Sequence, residues 1–141
     1  MQPLWLLDSI GSRLIRDEQQ AFSDLSISSL GNYFLQLGIW GHSNTFTDNT
    51  PIKNRFLITA HSFGEVALVA DLDRLPLQDQ TIDVVFLPHT LEQYDNHLEI
   101  LSSCVNTISE SGSLVALGFN PASLWGVRHL FSGKNFLPGI Q

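Results

Sequence analysis

The sequence predicts an α/β domain: a parallel β-sheet of about five strands with flanking helices. Short apolar runs recur along the chain, amphipathic stretches with helical spacing separate some of them, and turn-forming residues follow the apolar runs. Strands that alternate with helices form parallel sheets, and their right-handed crossovers cover both faces. The 141 residues are enough for one domain with a core of its own.

The first two elements are a helix and a strand. Residues 8–25 repeat apolar side chains at spacings compatible with one helical face, and Asp8 or Ser9 can cap the start. The face comprises Ile10, Leu14, Ala21, Phe22 and Leu25. The short apolar run from Asn32 to Leu37 ends at Gly38, as a buried strand does.

The middle of the chain contains three further strands. The polar stretch "HSNTFTDNTPIKN" predicts a loop after strand 1. The apolar runs "RFLIT" and "EVALVA" predict strands 2 and 3, and the turn-like "AHSFG" joins them. Only twelve positions separate Thr59 from Asp71, so we expect no crossover helix between strands 2 and 3. The β-branched run "IDVVFLP" predicts a central strand 4 that is buried on both faces.

A second helix and strand 5 complete the sheet. Asp95 or Asn96 can cap a helix that ends at "SESG", and "SLVALGF" predicts strand 5. The apolar stripe of this helix comprises Leu98, Leu101, Cys104, Val105 and Ile108. A last helical piece, "SLWGVRHLF", follows Asn120-Pro121.

Composition narrows the classes of function. The net charge is −7 and no run of Lys or Arg is present, which disfavours nucleic-acid binding. A lone cysteine, Cys104, cannot form an internal disulfide, and the N-terminus lacks the pattern of a signal peptide. No stretch approaches the roughly 20 apolar residues of a membrane span, so we expect a cytoplasmic protein that does not act in a membrane.

Candidate ligand-binding residues are those that follow the strands. Parallel sheets bind ligands outside the carboxyl ends of their strands, where the strand order reverses. These positions are 38–42, 59–61, 71–73, 88–92 and 118–121.

The segment from Val69 to Pro121 resembles the middle of class I S-adenosylmethionine-dependent methyltransferases of the type-11 group. It shares with them an acidic residue after strand 3, the run "LPLQDQTIDVV", the turn "HTLE", a helix and strand 5. The pieces "LQLGIWG", "LPHTLE" and "LGFNPASLWGVRHL" are similar to a proteobacterial branch whose first motif carries Trp in place of Gly. The resemblance implies a Rossmann-like fold and S-adenosylmethionine as cofactor.

The resemblance also implies roles for individual residues. Gly38, Trp40 and Gly41 would form the turn against the methionine part of the cofactor. Asp71 would accept a hydrogen bond from the adenine amino group, and the amide of Leu72 would face the ring nitrogen beside it. Pro88 and His89 would flank the sulfonium, and the resemblance assigns no catalytic residue.

Departures from the family pattern keep a second hypothesis open. Trp40 would either cover the cofactor or fill its place, Gln36 replaces a common acid, and no carboxylate follows strand 2 at Thr59 to His61. A non-catalytic methyltransferase-like module that binds or dimerises is therefore the alternative to an enzyme. His89 also admits a purely structural role, as a hydrogen-bonding turn residue.

The family's strands 6 and 7 have no counterpart here. We therefore expect residues 1–141 to form a single, incomplete domain with residues 1–30 as an N-terminal helical extension. Strand 5 would then be an edge that could pair in a homodimer. The substrate is expected to be a small molecule or a protein.

Other ligand classes have less support. The five histidines are scattered without metal-ligand spacing, no G-x-G-x-x-G dinucleotide motif is present, and Asn120-Pro121 follows strand 5 rather than strand 4, where DNA amino-methylating enzymes carry it. We expect no metal, no nicotinamide cofactor and no DNA substrate.

Overall fold

A computed structural model of the protein describes residues 8–25, 31–61 and 68–118. In the described parts, five parallel strands form one sheet in the order β3-β2-β1-β4-β5. The strands are β1 (Tyr33–Leu37), β2 (Asn54–Thr59), β3 (Leu68–Val69), β4 (Ile82–Pro88) and β5 (Ile108–Leu117). The helices are α1 (Ser9–Asp24), α2 (His97–Thr107) and a short 3-10 helix (Thr47–Asn49). The predicted Rossmann-like sheet is confirmed.

Strands β1 and β4 are central because their side chains are apolar on both faces. Alternate residues enter two separate cores, as the two-residue period of a strand requires. One core lies against α2 and includes Leu35, Leu37, Val85, Leu87 and Cys104. The other lies against α1 and includes Phe22, Phe34, Trp40, Phe46 and Phe86.

One aromatic side chain of helix α1, Phe22, packs against the sheet. The fully buried ring of Phe22 makes T-shaped contacts with Phe34 and Phe46 at centroid distances of 5.9 Å, and it contacts Phe86 at 4.6 Å. Asp8 caps the helix, since its side chain accepts hydrogen bonds from the N–H groups of Ile10 and Gly11. Ile10, predicted on the buried face, is instead 56 % exposed because it lies in the first turn, beyond the sheet contact.

The amino end of β1 is tied to β4 by a carboxylate. Asp83 Oδ2 accepts hydrogen bonds from the N–H groups of Asn32 and Tyr33, at 2.8 and 3.0 Å. Gly31 precedes them with a φ of +97°, and a Cβ there would lie 2.3 Å from Asp83 Cβ, so only glycine fits.

The boundary between α2 and β5 and the cap of α2 differ from the sequence prediction. β5 begins at Ile108, directly after α2, so the predicted break "SESG" belongs to the strand, and the register against β4 shifts between Ile82 and Val84. Asn96 occupies the N-cap position of α2, but no side-chain hydrogen bond caps the helix. Asn96 donates instead to Asp73 Oδ2 at 3.3 Å.

Several predictions fall on residues outside the described ranges. These are the first half of strand 3, most of the link between β2 and β3, Asn120-Pro121 and the last helical piece. Among the described helices, none is long and apolar enough to cross a membrane.

Candidate functional site

The predicted site residues follow β1, β3 and β4 and therefore emerge at one edge of the sheet, its carboxyl rim. The strands are parallel and neighbours in one sheet, so their carboxyl ends point the same way. The strand order reverses between β1 and β4, which is where open parallel sheets bind ligands. The rim presents two distinct regions, a cavity beside β2 and β3 and a buried polar cluster beside β1 and β4.

The cavity beside β2 and β3 has a volume of about 320 Å³. Such a volume lies within the roughly 300–1,000 Å³ of small-molecule pockets. Its lining includes Ala60, His61, Asp71, Leu72, Tyr94 and Ile100. Two of the predicted cofactor-binding residues, Asp71 and Leu72, thus share one cavity.

Polar groups around this cavity differ in exposure. The side chain of Asp71 is 74 % exposed and forms only a loose ion pair with Arg74, at 3.8 Å. Tyr94 is partly buried, and this burial raises the pKa of its phenol. Asp71 therefore adds a hydrogen-bond acceptor to the cavity and Tyr94 adds a donor.

The rim cluster, formed by Glu18, Trp40, His89 and Glu92, is the second region. Glu18 comes from α1, Trp40 from the turn after β1, and the other two from the turn after β4. Glu18 and His89 are each only 1 % exposed, and Trp40 is 3 % exposed. Three polar or aromatic groups from distant parts of the chain therefore meet below the surface.

The contacts within the rim cluster are short and directional. The indole N–H of Trp40 donates to Glu18 Oε1 at 2.8 Å, and its ring lies 4.1 Å from the His89 ring, at 33° to it. Nε2 of His89 pairs with Glu18 Oε2, and Nδ1 lies 2.5 Å from Glu92 Oε1. The imidazole is thus held between two carboxylates.

These contacts set the charge of His89. Burial lowers the pKa of the imidazole, but the hydrogen bonds and the charges of Glu18 and Glu92 raise it more, so the pKa lies above its ordinary value of 6.5. The imidazolium is the form that can donate to both carboxylates. His89 also has a φ of +56°, a conformation that non-glycine residues rarely adopt outside functional sites and turns.

The turn after β1 is tightly packed. Gly38 and Gly41 have positive φ, as a turn with close contacts needs. The Thr90 hydroxyl lies 3.1 Å from the Cβ position of Gly38, and the Thr45 hydroxyl lies 2.9 Å from that of Gly41. Gly38, Trp40 and Gly41 do not line the cavity. Pro88 ends β4 and is buried.

One buried polar atom beside this turn has no hydrogen-bond partner within residues 8–25, 31–61 and 68–118. Gln36 is fully buried, and its Nε2 donates to the carbonyl of Gly38 at 2.8 Å. Its Oε1 accepts no hydrogen bond from any residue that the structure describes. Since buried acceptors are normally satisfied, this oxygen is suited to a donor from a ligand.

Sequence reasoning missed Glu18, and it included Glu92 only within the candidate range 88–92, without a role of its own. The signal for Glu18 was its spacing, because Leu14, Glu18 and Phe22 recur every four residues and share one face of α1. Glu92 lies three residues after His89, and only the coordinates show that their side chains meet.

Comparisons with known proteins agree with this fold. The family described as a methyltransferase domain matches residues 47–116, about half of the chain. The strand order and this match define a class I methyltransferase fold. The chain belongs to the methyltransferase domain family.

Individual relatives are distant or partial. YafS of Escherichia coli (strain K12) is 37 % identical over 65 residues, which cover 46 % of this chain and 27 % of YafS. A Haloferax volcanii methyltransferase, solved in complex with the Trm112 methyltransferase activator, superposes with a TM-score of 0.62 at 16 % identity. That match covers 81 % of this chain and 58 % of the relative.

A SAM-dependent methyltransferase from Archaeoglobus fulgidus superposes with a TM-score of 0.57 at 21 % identity. The match covers 82 % of this chain and 54 % of that one. The chain thus spans little more than half of these solved relatives and about a quarter of YafS.

Proposed function

We propose that the protein is an S-adenosylmethionine-dependent methyltransferase whose acceptor is a small molecule or a protein. Membership of the methyltransferase domain family supports this activity. The observation that carries it is the cavity that Asp71, Leu72 and Tyr94 line at the carboxyl ends of β2 and β3. Asp71 accepts from the adenine amino group there, and the buried side chain of Leu72 supplies an apolar wall.

The residues of the chain fit both ends of such a cofactor in chemical type. The cavity offers a carboxylate and apolar walls to the adenosine. The rim cluster and Gln36 Oε1 offer acceptors and negative charge to the amino-acid end. Glu18, Trp40 and His89 already fill the buried space beside β1, so cofactor entry there requires these side chains to move.

The chain's contribution to catalysis is alignment and exclusion of water. When bound, the cofactor supplies a methyl group on a sulfonium, which an in-line nucleophile displaces. Such a displacement depends on positioning and a dry site more than on a catalytic base. Trp40 and Phe22, both buried between α1 and the sheet, keep water out of the rim on that side.

The alternative is a methyltransferase-like module without cofactor that acts by binding a partner. The burial of Trp40 and the lack of a carboxylate at residues 59–61, the described residues at the end of β2, favour it. Thr59 directs its hydroxyl to the carbonyl of His61 at 2.8 Å, so this hydroxyl is engaged within the turn. A protein partner also accords with the Haloferax relative, which was solved with an activator.

A homodimer through β5 remains part of this proposal. β5 ends the strand order of the described sheet, and an edge strand can pair across a two-fold axis. Light scattering over a dilution series tests it, because a monomer at every concentration contradicts a stable dimer.

Titration calorimetry with S-adenosylmethionine and S-adenosylhomocysteine separates enzyme from module. We expect saturable binding that Asp71→Asn weakens by about 10- to 100-fold, since a hydrogen bond to a charged group is worth about 1.5–3 kcal/mol. Asp79→Asn is the matched control, because Asp79 is exposed and does not line this cavity. Absence of heat at millimolar concentrations of both ligands would support the module.

A further inference from the structure

One charged side chain of α1, Glu18, reaches the interior of the protein, where it is 1 % exposed. Its Oε1 accepts from the indole N–H of Trp40, and its Oε2 pairs with Nε2 of His89. Among the described residues, His89 is the only basic group in contact with Glu18. A buried carboxylate is costly without a counter-charge, so the position of Glu18 depends on the proton that His89 carries.

The apolar attachment of α1 to the sheet is small. Phe22 is the fully buried apolar side chain of the described helix, while Leu14 and Ile15 are only partly buried. Gln19 adds a hydrogen bond to the carbonyl of Thr45, at 2.7 Å. Elements with few buried apolar contacts open at the lowest free energies, so α1 is suited to open before the sheet does.

The described groups packed against His89 belong to α1, to β5 and to the turns after β1 and β4. Glu18 faces the imidazole from α1 and Glu92 from its own turn. Trp40 contributes an uncharged indole, and the carbonyl of Leu117 in β5 accepts the backbone N–H of His89. Since Glu18 is the group contributed by α1, departure of the helix removes that carboxylate and lets water reach the imidazole.

We propose that α1 is a pH-sensitive lid on the carboxyl rim, closed while His89 carries its proton and released when that proton is lost. Release uncovers Trp40 and the ends of β1 and β4, so access to this part of the rim depends on pH. No covalent bond changes, and the proton passes to the solvent. The inference goes beyond the proposed methyl transfer and does not require that a cofactor binds.

The direction of the switch follows from the proton affinity of His89 in the two positions of the helix. With α1 closed, burial lowers the pKa of the imidazole, but Glu18 and Glu92 raise it more, so it lies above 6.5. With α1 open, the imidazole is hydrated and its exposed pair with Glu92 is screened, so the pKa returns toward its ordinary value. Stabilisation of the closed state is therefore complete below 6.5 and is lost as the pH rises through the raised pKa.

Amide hydrogen exchange of α1 and β4, measured from pH 6.5 upward, tests the lid. Division by the intrinsic exchange rates at each pH leaves the opening equilibrium of each element. We expect the protection of α1 to fall by about 10- to 100-fold, since a hydrogen bond to a charged group changes an equilibrium by about that factor. Release of the helix alone makes α1 exchange faster than β4 at each pH and almost independently of low urea concentrations.

Two variants assign the effect to the buried pair. His89→Asn removes the titrating group, and Glu18→Gln removes the buried charge while it keeps an acceptor for Trp40. We expect the fall in α1 protection to be lost in both, whereas His97→Asn, at an exposed position of α2, retains it.

Three results would overturn the inference. The first is protection of α1 that does not change with pH in the unmodified protein. The second is equal exchange of α1 and β4, which would mean that the helix leaves only when the whole domain unfolds. The third is a fall that persists in Glu18→Gln, which decides the question even if His89→Asn does not fold.

Discussion

The indole N–H of Trp40 donates to Glu18 Oε1 at 2.8 Å, across 22 residues of sequence. This bond joins the turn after β1 to α1 and places the tryptophan in the core beside α1. The bulky residue in a turn that usually carries glycine therefore serves to attach the helix.

Removing this hydrogen bond should reveal a coupling between the two residues. We expect a double-mutant cycle of Trp40→Phe and Glu18→Gln to give a coupling energy of about 1–3 kcal/mol, because the bond has a charged, buried acceptor. Urea unfolding measures the four free energies of unfolding. Additive effects of the two substitutions would contradict the coupling.

Stability should fall as the pH rises through the pKa of His89. The folded protein holds the proton more tightly than the unfolded chain, whose histidine has a pKa near 6.5. The stabilisation is therefore complete below that value and is lost as the pH passes the raised pKa of the folded state. Urea midpoints measured across this range test the trend.

The matched variant for this trend is His89→Asn. Asparagine tolerates positive φ, so the substitution removes the titrating group and keeps the turn. We expect a flatter dependence of the urea midpoint on pH above 6.5. An unchanged slope would assign the trend to other groups.

Gly41→Ala should destabilise the protein by about 1–3 kcal/mol. Gly41 has a φ of +81°, and an added Cβ would lie 2.9 Å from Thr45 Oγ1 and 3.1 Å from Ile15 Cδ1. Gly118→Ala is the control, since its nearest neighbour would lie at 3.7 Å, and we expect a change within about 0.5 kcal/mol. Equal thermal midpoints for both variants would contradict this account.

Cys104 should react with thiol reagents only when the protein unfolds. Burial raises the pKa of its thiol to about 12, so the reactive thiolate is scarce as well as inaccessible. Labelling at mildly alkaline pH should be slow in buffer and fast in urea. The chain has one cysteine, so the signal is unambiguous. Rapid labelling of the folded protein would show that α2 opens locally.

The sequence was sufficient to predict the sheet because the information is local. "IDVVFLP" coincides with β4, and its buried apolar run reports a strand covered on both faces. The boundary between α2 and β5 was less predictable, because the strand follows the helix without a loop and no turn residues mark the change. The stretch "SESG" has the composition of a loop, although it belongs to β5.

The site was predictable only where its residues follow strands. Asp71 and Leu72 line a cavity as neighbours in sequence, and His89 follows β4. Glu18 reaches His89 across 71 residues, and no local pattern encodes such a contact. The family resemblance covers residues 35–41 and 69–130 and therefore did not include α1.

Asp83 fixes the amino end of β1, at the side of the sheet opposite the carboxyl rim. Hydrogen bonds from the backbone thus fix the amino ends of the central strands. At their carboxyl ends the rim is formed by side chains of α1 and of the turns after β1 and β4. Divergence of binding preference among related domains could then proceed by exchanging those few side chains, while strand register stays as it is.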